Sequence, residues 1–207
     1  MSVIEEAVDK SVEARKVLDD LYQMIDETFL SYIIALEAPR VWRPHLERYE
    51  EGYRRLLREG GVGDEEIEIR IAQQDHFIPP DAEFKLQANT KKIRKILISG
   101  VFENLQARNA IKIVYDSWES SYGPQLEGLV GEKIQGNIWG DLRHLRQSIT
   151  HRDSKAVPEL KNAKLITGFM PKQEIVLIPE MMEKIRQELE NWYAEFLMKY
   201  FFPERKR

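Results

Sequence analysis

The stretch GDLRHLRQSITHRD, Gly140–Asp153, decides how this chain is read. Ile138, Leu142, Leu145 and Ile149 recur at intervals of three and four, the period of one helix face. Beside that stripe stand Arg143, His144, Arg146, Gln147 and His151, so a helix with a buried face also carries titratable and phosphate-seeking groups. At about 100° per residue, Arg146 falls at the edge of the stripe, while Arg143, Gln147, Thr150 and His151 lie on the far side. Arg146 and His151 are then about 140° apart, and one straight helix cannot aim both at the same atom. Convergence requires the helix to unwind near His151, or a second copy of it packed about a two-fold axis. The plainer alternative has Arg146 lying over the core edge against an acid while His151 caps the helix C-terminus.

Upstream, Ala14, Leu18, Leu21, Ile25, Phe29, Tyr32 and Leu36 repeat with the same period and predict a first helix ending near EAPR, Glu37–Arg40. A second runs from Pro44 to Gly60-Gly61 with Leu46, Tyr49, Tyr53 and Leu56 inward. The segment after it is ambiguous, because Ile67, Ile69 and Ile71 alternate like a strand while Asp64-Glu65-Glu66 reads as an acidic helix start. From Asn89, an N-cap residue type, Ile93, Leu97, Val101, Leu105, Ile111, Tyr115 and Trp118 predict a long helix stopping before Gly123-Pro124. A glycine-rich loop, LEGLVGEKIQGN, then leads into the helix of the opening stretch.

Beyond that helix, AKLITGF and QEIVLI flank Met170-Pro171-Lys172 and predict a small β-hairpin before a C-terminal helix. That last helix opens at Pro179 and places Met182, Ile185, Leu189, Trp192, Phe196 and Tyr200 on one side. The expected fold is therefore mainly α, treated as a single domain over 1–207.

The 207 residues are 43% hydrophobic and 32% charged, with no apolar run long enough for a membrane span. Cysteine is absent, which excludes disulfides, thiolate metal sites and a cysteine nucleophile. The N-terminal MSVIEEAVDK has acids where a signal peptide has a basic start and an apolar core, so the cytoplasm is the expected compartment. A net charge of −4 argues mildly against nucleic acid, but the charge is segregated. Residues 91–112 set Lys91, Lys92, Arg94, Lys95, Arg108 and Lys112 against Glu103, and residues 141–164 hold six Lys/Arg against three acids. Such segments offer an anionic polymer somewhere to sit, or are simply the solvated faces of two helices.

There is no phosphate loop, no HExxH, no metal-ligand spacing and no nucleophile elbow, so neither a metal nor a nucleotide cofactor is expected. What remains is RQSITH, Arg146–His151. Its spacing is uninformative, since RVWRPH (Arg40–His45) has the same and RIAQQDH (Arg70–His76) has one residue more. Context separates them: Pro44 breaks a helix through the first, and the second runs into Pro79-Pro80.

The segment GNIWGDLRHLRQSITHRDSKA, preceded by a long helix ending IKIVYDSW and followed by a short hairpin and a final helix, resembles HEPN domains (higher eukaryotes and prokaryotes nucleotide-binding). The likeness covers residues 86–207; the N-terminal helices of 1–85 match no family and carry no assigned role. The resemblance implies a HEPN-like helical bundle, a homodimer, and a metal-independent endoribonuclease of toxin–antitoxin or antiphage-defence type. It implies that Arg146 and His151 are the catalytic pair and that Gln147 takes the polar place after the arginine, where Asn is commonest. Arg143, His144, Arg152 and Lys155 would contact RNA, and an antitoxin or a nucleotidyltransferase would be the protein partner. The competing expectation from the same fold is a non-catalytic RNA-binding or partner-binding module.

Overall fold

A computed structural model describes residues 3–73, 76–77, 86–87, 100–151 and 154–202, with the backbone alone for 3–7, 72–73, 76–77 and 86–87. Six α-helices run through these residues: α1 Val3–Glu59, α2 Asp64–Gln73, α3 Val101–Ser117, α4 Gly123–Val130, α5 Asn137–His151 and α6 Pro179–Tyr200. The chain is thus mainly helical. The paired strands among the described residues are β1 His76–Phe77 and β2 Leu86–Gln87, two residues each and antiparallel. No described helix is long and apolar enough to cross a membrane. The chain clusters into two compact units, Met1–Tyr32 with Gln106–Arg207, and Ile33–Leu105.

In the first unit the periodic stripe of α1 is buried as expected, with Ala14, Leu18, Leu21, Ile25 and Phe29 almost wholly out of solvent. Helix α6 begins at Pro179, whose missing N–H costs nothing in a first turn, and buries Met182, Ile185, Leu189, Trp192 and Phe196. Three of the four tryptophans meet here. Trp118 and Trp139 stack with centroids 4.1 Å apart, and Trp192 stands edge-on to both at 5.3 and 5.1 Å. Offset and edge-to-face contacts suit the indole quadrupoles and add to the burial of three large rings. On the outer side, Tyr193 donates to Asp19 at 2.7 Å and packs on Tyr22, fastening α6 to α1.

Four expectations are corrected. The helix expected to end near EAPR and the one expected from Pro44 are a single helix, α1, with Pro39 and Pro44 inside it. Each proline removes one N–H and costs about 3 kcal/mol. Burial on each side of the prolines, at Phe29 and Tyr32 before them and at Leu46 and Glu50 after, favours helix strongly enough to carry the backbone through. The argument from Pro44 against a helical RVWRPH therefore fails.

Leu56, expected inward, is 63% exposed, because the inward face runs through Leu46 and Glu50. The long helix does not stop before Gly123-Pro124. It passes into a π-helical turn, Trp118–Tyr122, where the Gly123 N–H bonds the Trp118 carbonyl, and continues as α4. A Cβ at Gly123 would stand 2.9 Å from that carbonyl, so the residue expected to end the helix is what lets the wider π-turn close over Trp118. The chain turns out only at Gly131, left-handed at φ 76°. Residues 88–99, with the expected N-cap Asn89 and the cluster Lys91, Lys92, Arg94 and Lys95, lie outside the described residues.

The β-hairpin of 163–178 does not form. The buried carboxylate of Asp141 accepts hydrogen bonds from the N–H groups of Lys164, Leu165 and Ile166 at 2.7 to 3.1 Å, removing the donors a strand there would use. The second segment pairs instead with the chain leaving α5, where Ala156 N–H bonds Gln173, Ile175 N–H bonds Ser154 and Lys155 bridges Glu174.

In the second unit, the ambiguous segment is α2, with Ile67 and Ile71 buried and Ile69 50% exposed, a helical period rather than an alternating one. Ion pairs fasten it: Arg54 to Glu68 at 2.9 Å and to the buried Glu50 at 3.7 Å, and Arg58 to Asp64 at 3.0 Å.

Candidate functional site

Helix α5 is regular to its last residue, His151, so its two sides can be read directly from its geometry. Ile138, Trp139, Asp141, Leu142, Leu145 and Ser148 are buried, while Ile149 is only half-buried. The inward face thus contains two polar groups that sequence reasoning did not single out. Ser148 donates to the His144 carbonyl at 2.8 Å and accepts from the Val157 N–H at 3.0 Å, while Asp141 gathers the three N–H groups of 164–166. Seven residues apart, they share one face and pin the segment that leaves the helix back against it.

On one flank of that face, Arg146 donates from Nε to Asp116 Oδ1 of α3 at 2.7 Å. Its side chain is 26% exposed, and Nη1 and Nη2 make no hydrogen bond among the described residues. Nearby, Tyr115 donates to Glu119 at 3.0 Å. Burial first, and then that hydrogen bond, push the Tyr115 hydroxyl up to about 12, against the opposing pull of Arg143 and Arg146. The result is a strip of alternating charge in which Asp116 fixes the guanidinium stem and leaves the two terminal nitrogens of its fork available. Arg143 is exposed on the same flank, without an ion pair among the described residues.

His144 and His151 are seven residues apart and so lie within about 20° of one another, on the opposite flank from Arg146. His151 is exposed; His144 is half-buried, and its Nδ1 finds no partner among the described residues. Gln147 is half-buried between the flanks. The catalytic pair expected from sequence is therefore not brought together within one chain: Arg146 faces α3, and His151 faces away from it.

Of the residues expected to contact RNA, Arg143 and Lys155 are exposed, and Arg152 lies outside the described residues. Arg108, part of the other basic segment, is occupied by Glu174 at 3.1 Å and by the Ile175 carbonyl. The spacing twins of RQSITH are engaged locally, with Arg70 on Glu66 and His45 Nδ1 against Arg48 at 3.1 Å. Among the described residues no group of three or more His, Asp or Glu side chains could hold a metal ion.

Tyr115, Asp116 and Glu119 were missed because only their proximity to α5 distinguishes them. The available signal was weak: an acid follows the apolar run in IKIVYDSW, two helices before the arginine it serves. Comparison of the chain with protein-family models, with curated proteins and with solved structures finds no match.

Proposed function

We propose that this protein is a metal-independent endoribonuclease of toxin–antitoxin or antiphage-defence type, built on a HEPN-like helical bundle and acting at a site shared by two chains. The observation that carries this reading is the state of Arg146, whose Nε is held by Asp116 while its fork is uncommitted. An arginine fixed at its stem and open at its end is prepared to take a phosphate bidentately, and loses little side-chain freedom in doing so.

RNA cleavage without a metal requires the ribose 2′-OH to lose its proton and the departing 5′-oxygen to gain one, and an imidazole suits either transfer. In the proposed step the 2′-oxygen attacks the adjacent phosphorus, the P–O5′ bond breaks, and the products are a 2′,3′-cyclic phosphate and a 5′-hydroxyl. Arg146 of one chain neutralises the charge that accumulates on the phosphate oxygens, His151 of the other transfers the proton, and Gln147 orients phosphate or ribose through its amide. Arg143, His144, Arg152 and Lys155 would hold flanking RNA. The 140° separation on α5 motivates the second chain, since two copies about a two-fold axis can supply an arginine and a histidine from opposite flanks.

The test is cleavage of RNA in EDTA with analysis of the new ends. Wild type should yield cyclic phosphate ends and leave DNA intact, while Arg146→Ala and His151→Ala should each lower the rate by about a hundredfold or more. Equal, negligible cleavage by all three proteins would leave the second reading, a non-catalytic RNA-binding or partner-binding module. The Asp116–Arg146 pair favours that reading to the extent that it acts only to join α3 to α5.

A further inference from the structure

The proposed cleavage needs two proton transfers, one from the ribose 2′-OH and one to the departing 5′-oxygen, and a single imidazole serves one of them in each attack. The other falls to a group on the Arg146 flank, because a phosphate taken by that fork brings its neighbouring 2′-oxygen there. Three side chains that ionise as acids stand on this flank: Tyr115, Asp116 and Glu119. Asp116 is committed, since its Oδ1 accepts from Arg146 Nε at 2.7 Å, and a carboxylate bound to a guanidinium is a poor base. Tyr115, 6% exposed and kept protonated by burial, gives a hydrogen bond but takes no proton.

Glu119 is left. It is exposed and forms no ion pair among the described residues. Its Oε1 accepts from the Tyr115 hydroxyl at 3.0 Å, while Oε2 takes no hydrogen bond among the described residues. Two features set its place. Three residues after Asp116, it stands about 4.5 Å further along the chain's helical path, on the side that holds Arg146. It also lies inside the π-helical turn Trp118–Tyr122, a rare conformation that concentrates at functional sites and that closes here only over the glycine at 123. The Tyr115 hydroxyl that anchors Glu119 is reached as well by the charges of Arg143 and Arg146, so both guanidiniums and this carboxylate gather about one group.

We propose that Glu119 is the general base of the cleavage reaction, beside Arg146 of its own chain, and that His151 of the other chain is the general acid; the assignment rests on the endoribonuclease reading. Glu119 Oε2 takes the 2′-OH proton as the 2′-oxygen attacks phosphorus, the P–O5′ bond breaks, and the His151 imidazolium gives its proton to O5′. The step leaves a carboxylic acid and a neutral imidazole, which exchange protons with water to return to their starting states. Tyr115 is a positioning residue, holding the carboxylate by Oε1 so that Oε2 faces the ribose.

The test compares an RNA oligonucleotide with the same strand carrying sulfur in place of the bridging 5′-oxygen at the linkage the wild type prefers. A thiolate departs without a proton, so sulfur makes the general acid dispensable and leaves the general base necessary. On the oxygen substrate in EDTA, Glu119→Gln and His151→Ala should each be about a hundredfold slower than wild type or worse, with Glu119→Asp between. On the sulfur substrate His151→Ala should come within about tenfold of wild type, while Glu119→Gln should stay about a hundredfold slow. Circular dichroism checks that each variant is folded. A Glu119→Gln rate within about threefold of wild type on RNA, or a rescue by sulfur equal to that of His151→Ala, overturns the assignment and leaves the endoribonuclease reading standing. Absence of RNA cleavage by the wild type overturns both.

Discussion

In the unit formed by Met1–Tyr32 and Gln106–Arg207, three tryptophans and two buried polar side chains fasten the helices; in Ile33–Leu105, arginines against carboxylates do so. The difference sets what each region can tolerate. Aromatic packing is insensitive to salt and intolerant of lost volume, whereas partly exposed ion pairs are screened by salt and individually weak. On α5, Arg143 forms no ion pair among the described residues and Arg146 is paired through Nε alone, so the outer nitrogens of both stay open.

The largest predicted effect tests the aromatic side of this contrast. Trp192→Ala should cost about 4 kcal/mol in urea unfolding and weaken the near-ultraviolet signal of the indole cluster, because it removes the ring that is edge-on to both stacked partners. Next, Asp141→Ala should cost about 3 kcal/mol, since three N–H groups lose a charged acceptor, and should speed proteolysis within 163–178. In the second unit, Arg54→Met should cost about 2 kcal/mol, by removing the guanidinium that pairs with Glu68 and lies beside the buried Glu50. A cost near zero for that change would erase the contrast between the units.

How legible these features were in the sequence follows the same division. Helices α5 and α6 were readable because an apolar period of three and four survives any detail of packing. The hairpin was misread because the strand-like composition of AKLITGF and QEIVLI describes what a strand needs, not whether its N–H groups are already taken by Asp141 from another element. The breaks expected at Pro44 and Pro124 were local preferences outweighed by burial on either side, and at Gly123 by a π-turn that glycine alone permits. In the candidate site, the angular separation of Arg146 and His151 was readable from helix geometry alone. Asp116 was not, because its role depends on a contact spanning 30 residues.

Two smaller effects sharpen the account around α5. Tyr115 and Tyr193 are each pushed up to about 12, burial being the first cause for both, so they stay protonated where an unfolded tyrosine ionises. Their contribution to stability is fully present below pH about 10 and is lost as pH rises towards about 12. Absorbance at 295 nm should show Tyr115 and Tyr193 titrating late, with Tyr200 also raised by burial, and Glu119→Gln should bring Tyr115 earlier. The smallest effect on stability is expected for Asp116→Asn, about 0.5 kcal/mol or less at this partly exposed pair. If Asp116 fixes the stem of a working arginine, that variant should still lose much more RNA cleavage than stability.

The central claim is that Arg146 of one chain works with His151 of another, and complementation tests it most directly. Arg146→Ala and His151→Ala, each inactive alone, are unfolded together, refolded as a mixture and assayed on RNA in EDTA. A mixed dimer retains one intact pairing, so the account predicts that cleavage returns to a substantial fraction of the wild-type rate, with cyclic phosphate ends. A mixture as inactive as its components, at concentrations where light scattering shows mixed dimers, would contradict it.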